Sequence, residues 1–150
     1  MREDDLAGAE VRDLLRLHLE AMHANSPPGS VFALDLSGLT APGVTVWTAW
    51  ADGSLAGIGA LKALCATQGE IKSMRTHPSF LRRGVAAVLL AHIVAEARAR
   101  GMMRLSLETG SGQAFEPALA LYRRYGFTDG PAFGDYEATA FNQFLHLDLA

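Results

Sequence analysis

The amino-acid sequence predicts an α/β (α+β) fold: a mixed central sheet, antiparallel among its N-terminal strands, then a parallel βαβ pair, flanked by about four helices. Three observations carry this expectation. Strand-like runs at 44–51 and 54–64 flank Asp52-Gly53, a dipeptide suited to the left-handed geometry of a tight hairpin. A helical stripe over residues 85–100 lies between strand-like segments at 70–76 and 104–109, and a helix so placed makes a crossover that favours parallel strands. The chain has 150 residues, 49% hydrophobic and 19% charged. That is one domain's worth, spanning residues 1–150 and able to bury roughly two-thirds of its unfolded surface.

In chain order, Leu6, Val11, Leu14, Leu15, Leu17, Leu19 and Met22 recur mostly at three and four, which predicts an amphipathic helix over 5–23 with Asp4 or Asp5 available as its cap. Ser26-Pro27-Pro28-Gly29 must end it, because two prolines remove donors and restrict the residue before them. A short second helix is expected over 31–36. Ala41-Pro42-Gly43 is a turn, and β-branched and aromatic residues from Val44 to Ala51 make a strand, with Trp47 and Trp50 on opposite faces. Residues 54–64 return. The segment from Glu70 to Thr76 is a third strand of imperfect alternation, closed by Pro78. The next helix places Val85, Val88, Leu89, His92, Ile93 and Ala97 on one stripe, with Arg98 and Arg100 in its last turn and Gly101 beyond. Residues 104–109 form a strand and 115–125 a helix ending at Gly126. Strands follow from 127 and over 141–149.

With 13 basic and 16 acidic residues the formal charge is −3, and no long run of like charge marks a nucleic-acid partner. The single cysteine, Cys65, cannot form an intrachain disulfide, and Met1-Arg2-Glu3-Asp4-Asp5 lacks a basic-then-apolar leader, so a cytoplasmic address is expected. No apolar run reaches the roughly 18–20 residues that span a bilayer, so no membrane association is expected. His18 and His23 lie on different helix faces, and no HExxH or CxxC is present. No metal is expected, and structural or surface roles are assigned to the five histidines.

Chemistry concentrates at Arg82-Arg83-Gly84-Val85-Ala86, where a short loop enters a helix. A helix N-terminus offers unpaired N–H groups and about half a positive charge, and small residues at 84 and 86 let a pyrophosphate approach them. Downstream, the next helix ends Leu121-Tyr122-Arg123-Arg124-Tyr125-Gly126-Phe127. Together with the β-α-β order, these residues resemble the GNAT family of N-acetyltransferases over nearly the whole chain. Gly69-Glu70-Ile71-Lys72-Ser73-Met74, Leu105-Ser106-Leu107-Glu108-Thr109-Gly110 and Pro131-Ala132-Phe133-Gly134-Asp135-Tyr136 further resemble a bacterial subgroup of that family whose substrate is poorly defined.

The resemblance implies transfer of an acetyl group from acetyl-CoA, the co-substrate, to a primary amine on a small molecule or peptide. It implies that Met74, Arg75 and Thr76 line pantetheine, that Leu81, Arg82, Arg83, Gly84, Val85 and Ala86 form the pyrophosphate loop, that the Met74 amide faces the oxyanion, and that Tyr122 protonates the departing thiolate. Two positions depart from the family pattern: Leu81 stands where Gln or Arg begins the loop, and Phe115 where Asn contacts pantetheine, making that contact apolar. The first strand is expected to be absent or very short.

A phenol of intrinsic pKa near 10 stays protonated beside a thiol near 8.5, which suits Tyr122 to its role; Tyr125 shares much of that face. An amine that is ammonium at neutral pH needs a base, and Glu70 and Glu108, on adjacent parallel strands, are the candidates. Otherwise Glu70 is a strand-end carboxylate in water and Glu108 the partner of Lys72 or Arg75. An alternative function is a non-catalytic acyl-CoA sensor, against which Tyr122 argues; a P-loop is excluded by the lack of Gly-x4-Gly-Lys-Ser/Thr. The strand over 141–149 is suited to pairing across a homodimer.

Overall fold

A computed structural model describes residues 1–29, 31 and 36–149. In chain order these form β1 (Arg2–Glu3), α1 (Ala9–Asn25), α2 (Leu36–Leu39), β2 (Val44–Ala51), β3 (Ser54–Ala63), β4 (Gln68–Thr76), α3 (Val85–Ala99), β5 (Arg104–Thr109), α4 (Glu116–Tyr125), β6 (Thr128–Asp129) and β7 (Gln143–Asp148). Single 3-10 turns occupy Pro78–Phe80 and Gln113–Phe115. One seven-stranded sheet runs β1-β2-β3-β4-β5-β7-β6. Among the described residues β4–β5 is parallel and every other pairing antiparallel. The expected mixed sheet and crossover are therefore present, and the first strand is very short.

Local chemistry explains most elements. Asp52 (φ 51°) and Gly53 (φ 78°) are both left-handed, the backbone that a two-residue primed turn between β2 and β3 requires. Gly101 (φ 81°) and Gly126 (φ 116°) stop α3 and α4 in the same left-handed region. Asn25 ends α1, and Ser26 is already extended before the two prolines.

Several expectations need correction. Helix α1 begins at Ala9 with Gly8 as N-cap and no side-chain cap. Asp4 and Asp5 instead accept hydrogen bonds from the Leu6 and Ala7 amides, forming local turns ahead of the helix. The short helix expected at 31–36 falls largely on residues 32–35, which lie outside the described residues; α2 is described from Leu36. On α3, Val88 is 58% exposed, while Leu90 and Val94 are fully buried with Leu89, Ile93 and Ala97. The predicted stripe was thus rotated toward solvent on one side. Phe115 belongs to the 3-10 turn, and α4 starts at Glu116.

The sheet separates two cores. On one face α1 and α2 bury Val11, Leu14, Leu15 and Leu39 against Val46, Leu55, Ile58 and Ala60. On the other, α3 and α4 bury Leu89, Ile93, Leu119 and Tyr122 with Trp47, Leu61, Leu105 and Leu107. Trp47 and Trp50 do take opposite faces: Trp47 meets the His92 ring of α3 edge-on at 5.2 Å, and Trp50 packs beside the α1 core. Close approach of α3 depends on β3 glycines. A Cβ at Gly57 would lie 2.7 Å from Val85 Cγ1, and one at Gly59 3.0 Å from Ile93 Cδ1. No helix of the described residues is long and apolar enough to cross a membrane.

Candidate active site

Parallel pairing of β4 with β5 is confined to Gln68, Gly69 and Glu70 opposite Arg104, Leu105 and Ser106. Beyond it β4 stays with β3 and β5 with β7, so the strands part and a cleft of about 620 Å³ opens between them. Crevices at diverging strand ends are where open sheets bind ligands. Residues 70–76 form one wall, Leu107, Glu108 and Thr109 the other, α4 with Tyr122 closes one end, and His18, Ala21 and Met22 of α1 close another side.

The β4 wall is irregular for a definite reason. Lys72 opposes Ala60 and Arg75 opposes Ile58, so β4 carries one more residue than β3, and Ser73 absorbs it at φ 57°. This bulge explains the imperfect alternation of the segment. It also sends successive side chains to different places: Met74 packs against the α3 core, while Arg75 reaches α1, its Nε donating to His18 Nδ1 at 3.0 Å.

At the α3 start, Gly84 is the N-cap at φ 80°, preceded by Arg82 at φ 63°. Gly84, Val85 and Ala86 line the cleft, as do Leu81 and Arg82, and a Cβ built on Gly84 would meet nothing within 4 Å. The space before the first-turn amides is open. Arg83 is the exception among the predicted loop residues: it is not part of the cleft lining, and its guanidinium lies 5.5 Å from the Phe80 ring centre. Met74, Arg75, Thr76, Phe115, Tyr122, Glu70 and Glu108 all border the cleft. Tyr122 is buried edge-to-face against Phe127 at 5.7 Å, and burial pushes its phenol above the ordinary range. Tyr125 is on the surface.

The two carboxylates differ sharply. Glu70 is 2% exposed, and its Oε2 receives Lys72 Nζ at 3.3 Å and the Tyr136 hydroxyl at 2.5 Å, with Lys72 Nζ also donating to the Tyr136 oxygen at 2.7 Å. The expectations of a solvated Glu70 and of a Glu108 ion pair with Lys72 or Arg75 are both overturned: Lys72 pairs with Glu70, and Arg75 with a histidine. Glu108 is half-buried, and desolvation pushes its carboxyl up to about 7. Lys72 and a hydrogen bond with Asn142 oppose that rise, and the charge of Glu70 adds to it.

His18, Lys72 and Tyr136 had no assigned site role from sequence. Lys72 and Tyr136 lay within the quoted subgroup motifs, which was the available signal. His18 is 6% exposed, and desolvation, then Arg75, then Lys72 hold its imidazole down at about 4, so it is neutral near pH 7. Among the described residues no three His, Cys, Asp or Glu side chains are grouped to hold a metal.

A sequence model of the Acetyltransferase (GNAT) family matches residues 11–127. The chain belongs to the GNAT acetyltransferase family. This GNAT chain is 53% identical over 133 residues to the uncharacterized N-acetyltransferase YsnE of Bacillus subtilis, covering 89% of this chain and 88% of that one. It is 46% identical over 149 residues to the uncharacterized N-acetyltransferase YedL of Escherichia coli, covering 99% and 94%. Its fold is shared with a Bacillus subtilis acetyltransferase solved in complex with CoA, at TM-score 0.73 and 21% identity, covering 99% of this chain and 97% of that one. It is an acetyltransferase of this family.

Proposed function

We propose that this enzyme acetylates a primary amine by direct transfer from acetyl-CoA in the β4–β5 cleft, with Glu108 as base and Tyr122 as acid. The observation that carries the proposal is the sharing of one cleft by the open α3 N-terminus, the Tyr122 side chain and a carboxyl tuned to about 7. The chain's own geometry fits the co-substrate. The first-turn amides at Gly84, Val85 and Ala86 would hold its pyrophosphate, and Met74, Val85 and Phe115 would border the pantetheine arm with apolar surface.

Acetyl-CoA supplies an activated acyl carbon and a thiolate leaving group. Glu108 takes the ammonium proton, which a carboxyl near 7 does far better than one at its ordinary value, and passes it to solvent. The freed nitrogen pair forms the N–C bond, the carbonyl oxygen gains charge toward the Met74 amide, and the C–S bond breaks. Tyr122 gives its proton to sulfur and regains one from water, while the nitrogen sheds its second proton, so one net proton is released. Burial raises the phenol, and it raises a thiolate beside it as well, which keeps that transfer feasible. Glu70, committed to Lys72 and Tyr136, tunes Glu108 rather than acting as base.

Thiol release with acetyl-CoA over a panel of amines tests this on wild type, Tyr122→Phe and Glu108→Gln. Amine-dependent release that falls in both variants is expected. If no amine stimulates release while acetyl-CoA still raises the thermal midpoint, the chain binds the thioester without using it.

A further inference from the structure

We infer that the Arg75 guanidinium binds a carboxylate of the acceptor, so that the amine acetylated here belongs to a small amino acid-like molecule. This inference rests on the transferase function proposed above and names the chemical class of its acceptor.

Arg75 is half-buried in the cleft wall, and burial lowers the affinity of its guanidinium for the proton. A desolvated cation is ordinarily matched by an anion. Lys72, its neighbour on β4, has Glu70 at 3.3 Å. Arg75 has no carboxylate among the described residues: its hydrogen bond goes to His18, a neutral imidazole accepting through Nδ1. That bond uses Nε and fixes the planar fork, leaving both terminal nitrogens for the bidentate contact that guanidinium makes with carboxylate.

The other anion at hand is a phosphate of acetyl-CoA, and the fold separates the two. Met74 and Arg75 are successive strand residues, and successive side chains leave opposite faces. Met74 packs into the core shared with α3, whose N-terminus offers the phosphate-binding amides. Arg75 leaves on the α1 side, against His18, where Ala21 and Met22 also line the cleft. On this assignment only its backbone would border the thioester limb. Glu108, on the opposing wall, receives the ammonium end of the same acceptor.

The test uses matched pairs: amino acids with α-, β- or ω-amino groups against their own carboxamides, with steady-state thiol release as readout. A carboxamide of an α-amino acid has the less basic amine and is intrinsically the readier nucleophile at neutral pH, so chemistry alone favours it. Wild type is expected to prefer the carboxylates by about 100-fold in kcat/KM, carried mainly by KM, as losing a charge-assisted pair implies. In Arg75→Ala the preference should shrink to within about threefold, Arg75→Lys should restore part of it, and the KM for acetyl-CoA should stay within about twofold in both. Equal use of both series by wild type overturns the inference and leaves the transferase function standing. A preference that survives in Arg75→Ala, or a rise of about tenfold or more in acetyl-CoA KM there, also overturns it, the latter in favour of a phosphate contact. If neither series is acetylated, the inference falls, and the transferase function falls with it only if the wider panel of amines also gives no release. If Arg75→Ala does not fold, Arg75→Lys carries the comparison: a preference reduced part-way supports the inference, and an unchanged preference overturns it.

Discussion

Glu108 sits between opposed neighbours: Glu70 pushes its carboxyl up, and Lys72 and Asn142 draw it down, on top of a larger desolvation effect. As the proposed base must be unprotonated, kcat/KM should climb with pH through about 7, and Glu108→Gln should remove that limb along with about 10²- to 10⁴-fold of rate. The two neighbours give opposite shifts. Glu70→Gln should move the limb to lower pH and Lys72→Met to higher pH, read from initial-rate profiles. Lys72→Met also leaves a buried carboxylate without its cation, a loss of about 3–5 kcal/mol in a denaturant titration. Stability follows the same proton. Folded Glu108 keeps its proton up to about 7, whereas the unfolded group releases it near 4.5, so this residue's contribution is full below 4.5 and declines as pH rises through 7. His18 runs the other way: unfolded it binds a proton near 6.5 and folded only near 4, so stability is lost as pH falls across that window. Tyr122→Phe, which keeps the ring against Phe127, should lower kcat by about 10²- to 10⁴-fold with little change in thermal midpoint.

At the scale of elements, α3 and β3 form a matched pair. Gly57→Ala would press a methyl into Val85 Cγ1 at 2.7 Å and Leu89 Cδ1 at 3.0 Å. Valine is stiff at χ1, so α3 must move, costing about 1–3 kcal/mol and raising the KM for acetyl-CoA because Val85 opens the helix. Gly84→Ala meets no atom, but its φ of 80° is strained for any other residue; a loss of about 1 kcal/mol with a higher acetyl-CoA KM is expected. The β2–β3 hairpin and the β4-α3-β5 crossover were legible in the sequence because local signals decide them: Asp52-Gly53 sets one turn, and a helix between two strands sets the other. The buried arc of α3 was not. Val85 to Ala99 is apolar on most sides, so periodicity constrains its orientation weakly, and packing into the shared core buried Leu90 and Val94 instead of Val88. The Ser73 bulge likewise had no signal beyond broken alternation, since the extra residue is set by the register against β3.

For the molecule as a whole, the sequence singled out residues for the proposed thioester limb, whereas the contacts that build the proposed acceptor limb were not legible. Gly84 and Ala86 mark a helix-start loop by local order, and the resemblance to the GNAT family singled out Tyr122 downstream. Glu70, Lys72 and Tyr136 meet across more than sixty residues, and Arg75 meets His18 across a similar gap, which no spacing rule connects. The three-rung parallel seam between β4 and β5 has a mechanical consequence. Each strand is laced to its own outer neighbour, so the seam at Glu70 and Ser106 is a hinge joining two stiff leaves, and the cleft is the gap at their free edges. A ligand touching both leaves acts as a brace. Acetyl-CoA should therefore slow amide exchange at the α3 start and at Leu107 to Thr109 far more than in β2, as read by mass spectrometry, and a molecule gripped by one leaf alone should leave the other breathing.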